Sequence, residues 1–135
     1  MTHELTALAF AFLWQVVQFF LMAIPANLEL GAAKTTNTRD AGGLETGLSP
    51  RTGRLYRALD NHFESLILFT IAVVLVTLSG SAGTFTAICA WVYVAARVVY
   101  VPAYAFGWQP WRSLIWGAGF TAVCLMVVAA LIQGG

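Results

Sequence analysis

Two adjoining stretches decide the fold of this chain: residues 54–64, RLYRALDNHFE, and residues 66–78, LILFTIAVVLVTL. The first holds the densest group of ionisable side chains in the sequence, whereas the second is almost entirely apolar. As a helix, residues 66–78 would cover about 20 Å of a hydrocarbon core about 30 Å thick. A membrane-spanning helix must therefore include much of the polar stretch, which brings Asn61 and Glu64 into the bilayer. Polar groups at that depth are costly to bury and are usually functional.

The composition of the whole chain also indicates a membrane protein. Of its 135 residues, 59% are hydrophobic and 10% are charged, whereas a soluble domain has about 25% charged residues. The net charge of +1 excludes nucleic acid as an electrostatic partner. Cys89 and Cys124 lie in apolar stretches without His or Cys at metal-ligand spacing. We interpret them as small hydrophobic residues and predict no metal site.

Hydropathy and turn signals predict an all-α integral membrane protein, built as a bundle of four transmembrane helices. Gly, Pro, Ser and Thr mark a loop over about residues 31–53, and shorter breaks follow near residues 80–83 and 107–110. The sequence shows no internal repeat and no second domain, so residues 1–135 are interpreted as one domain. The four predicted helices span about residues 5–28, 54–79, 84–106 and 111–132.

The distribution of basic residues predicts the orientation in the membrane. Most of them lie in the first connection and at the start of the second helix, the third connection ends at Arg112, and the second connection has none. By the positive-inside rule, the first and third connections face the cytoplasm and both termini lie on the non-cytoplasmic side. In a bacterium this membrane would be the inner, cytoplasmic one.

Two helices carry polar residues at helical spacing. On the second helix, Arg57, Asn61 and Glu64 follow the i, i+4, i+7 pattern and form one stripe, which Arg54 extends toward the loop. Asp60 and His62 are expected to point elsewhere. On the third helix a second stripe follows the i, i+3, i+7 pattern and continues away from the cytoplasm. It consists of Arg97, Tyr100 and Tyr104, with Tyr93 as the continuation.

Because the second and third helices are antiparallel, both stripes are expected at similar depth in the cytoplasmic leaflet. Guanidinium, amide, carboxylate and phenol groups meeting in a low-dielectric site would recognise a polar, zwitterionic or anionic ligand. A structural interpretation stays open beside this one. In it, Arg97 and Glu64 neutralise each other inside the bundle, and Tyr100 and Tyr104 are interfacial anchors.

These two stripes resemble the motifs of a known family, the membrane-associated proteins in eicosanoid and glutathione metabolism. On the second helix the similarity lies in the pattern of two arginines, an asparagine and a glutamate. On the third helix it lies in an arginine followed by two tyrosines. The matching residues are Arg54, Arg57, Asn61 and Glu64 on the second helix and Arg97, Tyr100 and Tyr104 on the third.

The resemblance implies a homotrimer of four-helix bundles that binds glutathione between neighbouring subunits at the cytoplasmic side. It implies a glutathione-dependent enzyme, a transferase or peroxidase, acting on lipophilic electrophiles or hydroperoxides that arrive from the lipid. Arg112 and Tyr104 would be the catalytic residues, with the arginine favouring the thiolate. Glutathione would be a cosubstrate, and no metal would be needed. The implied glutathione-binding residues are Arg54, Arg57, Asn61, Glu64, Arg97, Tyr100 and Tyr104.

Two other functions remain as alternatives at this stage. A non-enzymatic membrane scaffold or lipid-binding protein of the same fold would keep the polar stripes as structure. A small four-helix exporter needs a carboxylate at mid-membrane on its first helix, but this chain has no charge between Glu4 and Glu29. The exporter is therefore the weakest of the three hypotheses.

Overall fold

A computed structural model describes residues 1–30, 49–105 and 110–134 of the chain and shows them as helices joined by short turns. These described parts contain no β-strand, and the predicted all-α class is confirmed. The helices are α1 (His3–Leu30), α2 (Pro50–Leu78), α3 (Thr84–Ala105) and α4 (Trp111–Gln133).

All four helices are long and apolar enough to cross a membrane. Their candidate spans have 23, 27, 21 and 23 residues. At about 1.5 Å per residue, each span exceeds a hydrocarbon core about 30 Å thick. Asn61 and Glu64 lie within the α2 span, as the shortness of the apolar run had predicted.

The start of α2 differs from the prediction. The sequence had been interpreted as loop up to residue 53, but α2 begins at Pro50. The Ser49 side chain accepts a hydrogen bond from Thr52 N at 3.3 Å, and Pro50 occupies the first helical turn. Serine as N-cap followed by proline is a helix-start signal, which the loop interpretation had counted as turn composition. Residues 31–48 of the predicted loop, the predicted last residue of the third helix at 106, and residues 107–109 of the predicted break lie outside the described residues.

The bundle places α1 and α4 at opposite corners. Each of these two helices packs against both α2 and α3, and α2 also contacts α3. The connection from α2 to α3 is short, and Gly80 closes it with a φ of 71°, a conformation that favours glycine. Where α3 meets α4, a Cβ atom added at Gly119 would lie 3.4 Å from Ala96 Cβ. Small residues therefore bring these two helices close together.

Small and aromatic side chains share the interior of the bundle. Phe69 of α2 stacks on Tyr93 of α3 with ring centroids 4.1 Å apart, and alanines on all four helices are buried around this pair. Large apolar side chains instead cover the outside of the bundle, as expected of a surface that faces lipid. The exposed ones include Phe12, Phe19, Ile71, Ile88 and Leu114.

Candidate functional site

Tyr104 lies between two arginines that come from different helices. Arg57 of α2 donates a hydrogen bond from Nε to the Tyr104 hydroxyl at 3.2 Å. Arg112 of α4 lies over the face of the same ring, with Cζ 4.9 Å from the ring centroid. The neighbouring ring of Tyr100 is tilted against Tyr104 at 5.6 Å. Three helices therefore converge on one phenol, and the structure brings the two predicted catalytic residues together.

An open groove of about 550 Å³ lies beside this cluster, and we call it the outer groove. Its volume is that of a typical site for a small ligand. Arginine, tyrosine and asparagine side chains supply its polar lining. The lining consists of Asn61, Tyr100, Tyr104, Arg112, Ser113, Trp116 and Gly117.

A smaller and more enclosed space, the inner cavity, lies among α2, α3 and α4 and measures about 100 Å³. It shares Asn61 and Trp116 with the outer groove, so the two spaces adjoin. Glu64 and Arg97 line the inner cavity and not the outer groove. Its lining consists of Asn61, Glu64, Ser65, Leu68, Tyr93, Arg97, Trp116, Gly119, Phe120 and Val123.

Arg97 is buried in the bundle, with 2% of its surface exposed. Its Nε donates to His62 Nδ1 at 3.2 Å, and its Cζ lies 4.3 Å from the centroid of the Tyr100 ring. Its Nη2 atom is buried and has no hydrogen-bond partner among the described residues. The structural interpretation of the sequence had named Glu64 as the partner of Arg97, but the structure gives it a histidine.

His62 links this arginine to α1. Its Nε2 lies 3.1 Å from the carbonyl oxygen of Ala11, and since a carbonyl only accepts, Nε2 carries the proton and donates. Nδ1 is then the acceptor for Arg97. The imidazole is fully buried, and each of its nitrogens has a partner in the bundle.

Sequence reasoning left His62 out of the site because it is off the polar stripe of α2. The sequence did contain one indication that His62 has a polar contact, since a polar residue inside a membrane span requires a partner. Arg97 was available for it at a similar depth on the antiparallel helix. Periodicity groups residues by face, but it does not indicate which face of α2 meets α3 and which meets α1.

Ser65 and Tyr93 form a second link between α2 and α3. The two hydroxyl oxygens are 2.9 Å apart, and Ser65 Oγ donates to the backbone carbonyl of His62 at 3.1 Å. Because the serine proton is used there, Tyr93 is the donor to Ser65. The Tyr93 oxygen therefore offers only acceptor positions to the inner cavity that it lines.

The residues of the predicted stripes do not all line these two spaces. Arg57 contacts Tyr104, and its Nη1 lies back toward Gly53, 3.5 Å from where a Cβ atom would be. Arg54 is half-buried and lines neither the outer groove nor the inner cavity. The seven residues implied as one binding surface thus belong to the outer groove, the inner cavity and the flank of α2.

Comparison with known protein families identifies the family of this chain. The model of the MAPEG family matches residues 7–132, which is nearly the whole chain. The chain belongs to the MAPEG family. Together with the four apolar helices, this makes it a multi-pass integral membrane protein, and it points to a membrane function related to glutathione. No curated protein and no solved structure gives a significant match.

Proposed function

We propose that this MAPEG protein is a glutathione-dependent enzyme, a transferase or peroxidase acting on lipophilic electrophiles or hydroperoxides. One observation carries the proposal: the Tyr104 phenol lies between the guanidinium groups of Arg57 and Arg112. Two positive charges and a hydroxyl at the edge of a ligand-sized groove form a site for a small anionic nucleophile.

The geometry favours a thiolate over a thiol. A free thiol has a pKa of about 8.5, so a nearby cation increases the fraction of reactive thiolate at neutral pH. The Tyr104 oxygen accepts from Arg57, which leaves its own proton free to be donated to sulfur. Arg112 adds a second positive charge over the same ring. Tyr104 and Arg112 would act together on the sulfur atom.

The rest of the tripeptide would occupy the outer groove. Its amide and carboxylate groups have Asn61 and Tyr100 as partners inside the groove, with Arg54 and Arg57 near the start of α2. In conjugation, the thiolate attacks an electrophilic carbon, a sulfur–carbon bond forms and the leaving group departs. In peroxide reduction, the thiolate attacks the terminal peroxide oxygen, a sulfur–oxygen bond forms as the oxygen–oxygen bond breaks, and the departing alkoxide takes a proton. The resulting glutathione sulfenic acid reacts with a second glutathione to give the disulfide and water.

Thiolate absorbance on adding glutathione to the purified protein tests this proposal. We expect a saturable thiolate signal that is about tenfold to a hundredfold weaker in Tyr104→Phe and Arg112→Gln. A hydrogen bond to a charged group contributes about 1.5–3 kcal/mol, and about 1.4 kcal/mol corresponds to a factor of ten.

Tyr56→Phe is the matched control for these variants. Tyr56 lies on α2 beside Leu59 and Met22 and lines neither space, so its thiolate signal should equal that of the unmodified protein. Absence of binding at millimolar glutathione would overturn the proposal. So would a Tyr104→Phe signal equal to that of the control.

The proposed assembly is a homotrimer in which glutathione lies between neighbouring subunits at the cytoplasmic side. The outer groove is open on the protomer, so a neighbouring subunit could complete it. With a subunit of 14.6 kDa, the mass of the detergent-solubilised protein should correspond to three chains. A monomeric mass under conditions where glutathione binds would exclude a shared site.

The alternative is a non-enzymatic scaffold or lipid-binding protein. The hydrogen bonds from Arg97 to His62 and from His62 to Ala11 favour it, because they give buried polar groups a purely structural role. Loss of stability in Arg97 variants fits both functions and does not separate them. The thiolate absorbance distinguishes the two functions, because a scaffold is not expected to bind glutathione and stabilise its thiolate.

A further inference from the structure

Arg97 is held at its backbone and at its side chain by contacts that lead to α1. The indole Nε1 of Trp14 donates to the Arg97 backbone carbonyl at 3.1 Å. The Arg97 Nε donates to His62, which in turn donates to the carbonyl of Ala11. Trp14 and Ala11 both belong to α1. This helix therefore fixes the arginine at two points, although none of its described residues lines the outer groove.

The guanidinium that is fixed in this way lies over the ring of Tyr100. Arg97 Cζ is 4.3 Å from the ring centroid, well inside the distance of about 6 Å at which a cation is attracted to an aromatic face. Both residues are buried, and such an attraction is stronger when it is desolvated. The ring of Tyr104 is tilted against Tyr100 at 5.6 Å. Arg97 and Tyr104 together restrict the orientation of the Tyr100 ring.

Tyr100 connects this buried arrangement to the outer groove, which it lines. Only 4% of its surface is exposed. Its hydroxyl has no hydrogen-bond partner in the described part of the chain, and yet it is not one of the buried unpaired atoms. The hydroxyl is therefore accessible, and it can donate to an oxygen of a ligand in the groove.

Arg97 lines the inner cavity and does not line the outer groove. It therefore acts on a ligand in the groove through a residue that contacts both, and Tyr100 is such a residue. His62 is fully buried behind the arginine and acts through it in the same way.

We infer that His62 and Arg97 are positioning residues for glutathione, which hold the Tyr100 ring so that its hydroxyl donates to a carboxylate or carbonyl oxygen of the tripeptide. The inference rests on the proposed function and divides its work between two groups of residues. Tyr100, with the two residues behind it, determines how tightly glutathione binds. Tyr104 and Arg112 determine how much of the bound thiol is ionised.

Titration of the thiolate absorbance with glutathione separates these two roles, because it gives a half-saturating concentration and a plateau. The sample is the full chain in detergent. We expect Tyr100→Phe to raise the half-saturating concentration about tenfold, as for one lost hydrogen bond to a charged group, and His62→Ala to raise it about fivefold. The plateau should stay unchanged in both variants, whereas loss of the fold would lower it.

Two further variants test the contacts of the chain that leads to Tyr100. His62→Gln keeps a donor for the Ala11 carbonyl and an acceptor for Arg97, so its half-saturating concentration should stay near that of the unmodified protein. Arg97→Lys keeps the positive charge and a donor for His62, but it loses the planar guanidinium over the Tyr100 ring. It should resemble His62→Ala, and it takes the place of that variant in every comparison if His62→Ala does not fold.

A double-mutant cycle shows whether His62 acts through Tyr100. When His62→Ala is combined with Tyr100→Phe, the half-saturating concentration should equal that of Tyr100→Phe alone, because the hydroxyl that His62 positions is already gone. Tyr56→Phe is the matched control, since it removes a tyrosine hydroxyl outside both the groove and the cavity. Combined with Tyr56→Phe, His62→Ala should keep its full effect.

Additive losses in His62→Ala/Tyr100→Phe would overturn the inference, as would an unchanged half-saturating concentration in His62→Ala. A His62→Gln variant no better than His62→Ala would also overturn it. If the unmodified protein gives a normal thiolate signal, these results leave the proposed enzyme intact. Absence of that signal in the unmodified protein overturns the proposed function, and this inference with it.

Discussion

At the scale of single residues, His62 holds the buried cation of the bundle in place. It accepts from Arg97 and donates to Ala11, so α1, α2 and α3 meet at one imidazole. Such a buried polar link stabilises only while each member has its partner. The orientation of the guanidinium beside the inner cavity depends on it.

Replacing this histidine is expected to be costly. His62→Ala leaves Arg97 Nε and the Ala11 carbonyl unpaired, and each unsatisfied buried group costs about 1–3 kcal/mol, more when it is charged. His62→Gln can donate to the carbonyl with its amide nitrogen and accept with its oxygen, so it should recover part of this loss. The measurement is the unfolding midpoint in detergent with increasing denaturant.

Phe63→Ala serves as the comparison, because Phe63 is the next residue along α2 and is exposed on its outer face. If His62→Ala destabilises no more than Phe63→Ala, the hydrogen bonds of the imidazole contribute nothing to stability. If His62→Gln is no better than His62→Ala, the stabilisation comes from packing and not from these bonds.

At the scale of helices, pairing of α2 with α3 creates both spaces of the site. Toward the start of α2, Arg57 reaches Tyr104; further along, Ser65 reaches Tyr93. Rising residue numbers on α2 meet falling numbers on α3, as in any antiparallel pair. The sequence predicted the similar depth of the two stripes from this direction, and these contacts agree with it.

The opposite end of the bundle has its own polar link, between α1 and α3. Glu4 is 2% exposed and accepts from Thr86 Oγ1 at 2.6 Å. Thr86 Oγ1 also accepts from Gly83 N at 2.9 Å, which satisfies a free backbone donor at the start of α3. The Glu4 carboxylate therefore lies near the positive end of the α3 dipole.

Changing Thr86 tests this link. Thr86→Val keeps the shape but removes both hydrogen bonds, and an unpaired buried group costs about 1–3 kcal/mol or more when charged. Thr86→Ser keeps the hydroxyl and should remain close to the unmodified protein. Hydrogen exchange at the first turns of α1 and α3 should increase in the valine variant alone. Equal exchange in the two variants would show that the link is not needed.

At the scale of the whole molecule, the orientation in the membrane is still a prediction from the basic residues. Single cysteines at Ala33 in the first connection and at Ala82 in the second test it, with Cys89 and Cys124 replaced by Ala. A membrane-impermeant maleimide on intact cells should label the Ala82→Cys variant, because that connection is expected on the far side. The Ala33→Cys variant should react only after permeabilisation. The reversed labelling pattern would place both termini in the cytoplasm.

Sequence periodicity predicted many residues of the candidate site, but it did not predict that the site consists of an outer groove and an inner cavity. The stripe of Arg57, Asn61 and Glu64 was visible because residues three and four apart share a helix face. That Arg57 lies with Tyr104 while Glu64 lines a separate cavity depends on the position and size of α4. No pattern within α2 contains that information.

The polar head of α2, residues 54–64, shows what the sequence determines and what the tertiary structure determines. The sequence alone determined the membrane class, the helices and the entry of Asn61 and Glu64 into the bilayer, because hydropathy, length and helical period are properties of single segments. The tertiary structure decided the partners: His62 for Arg97, Arg57 and Arg112 for Tyr104, and Ser65 for Tyr93. Partners depend on how helices rotate and approach one another, and small residues distributed over all four helices set that packing.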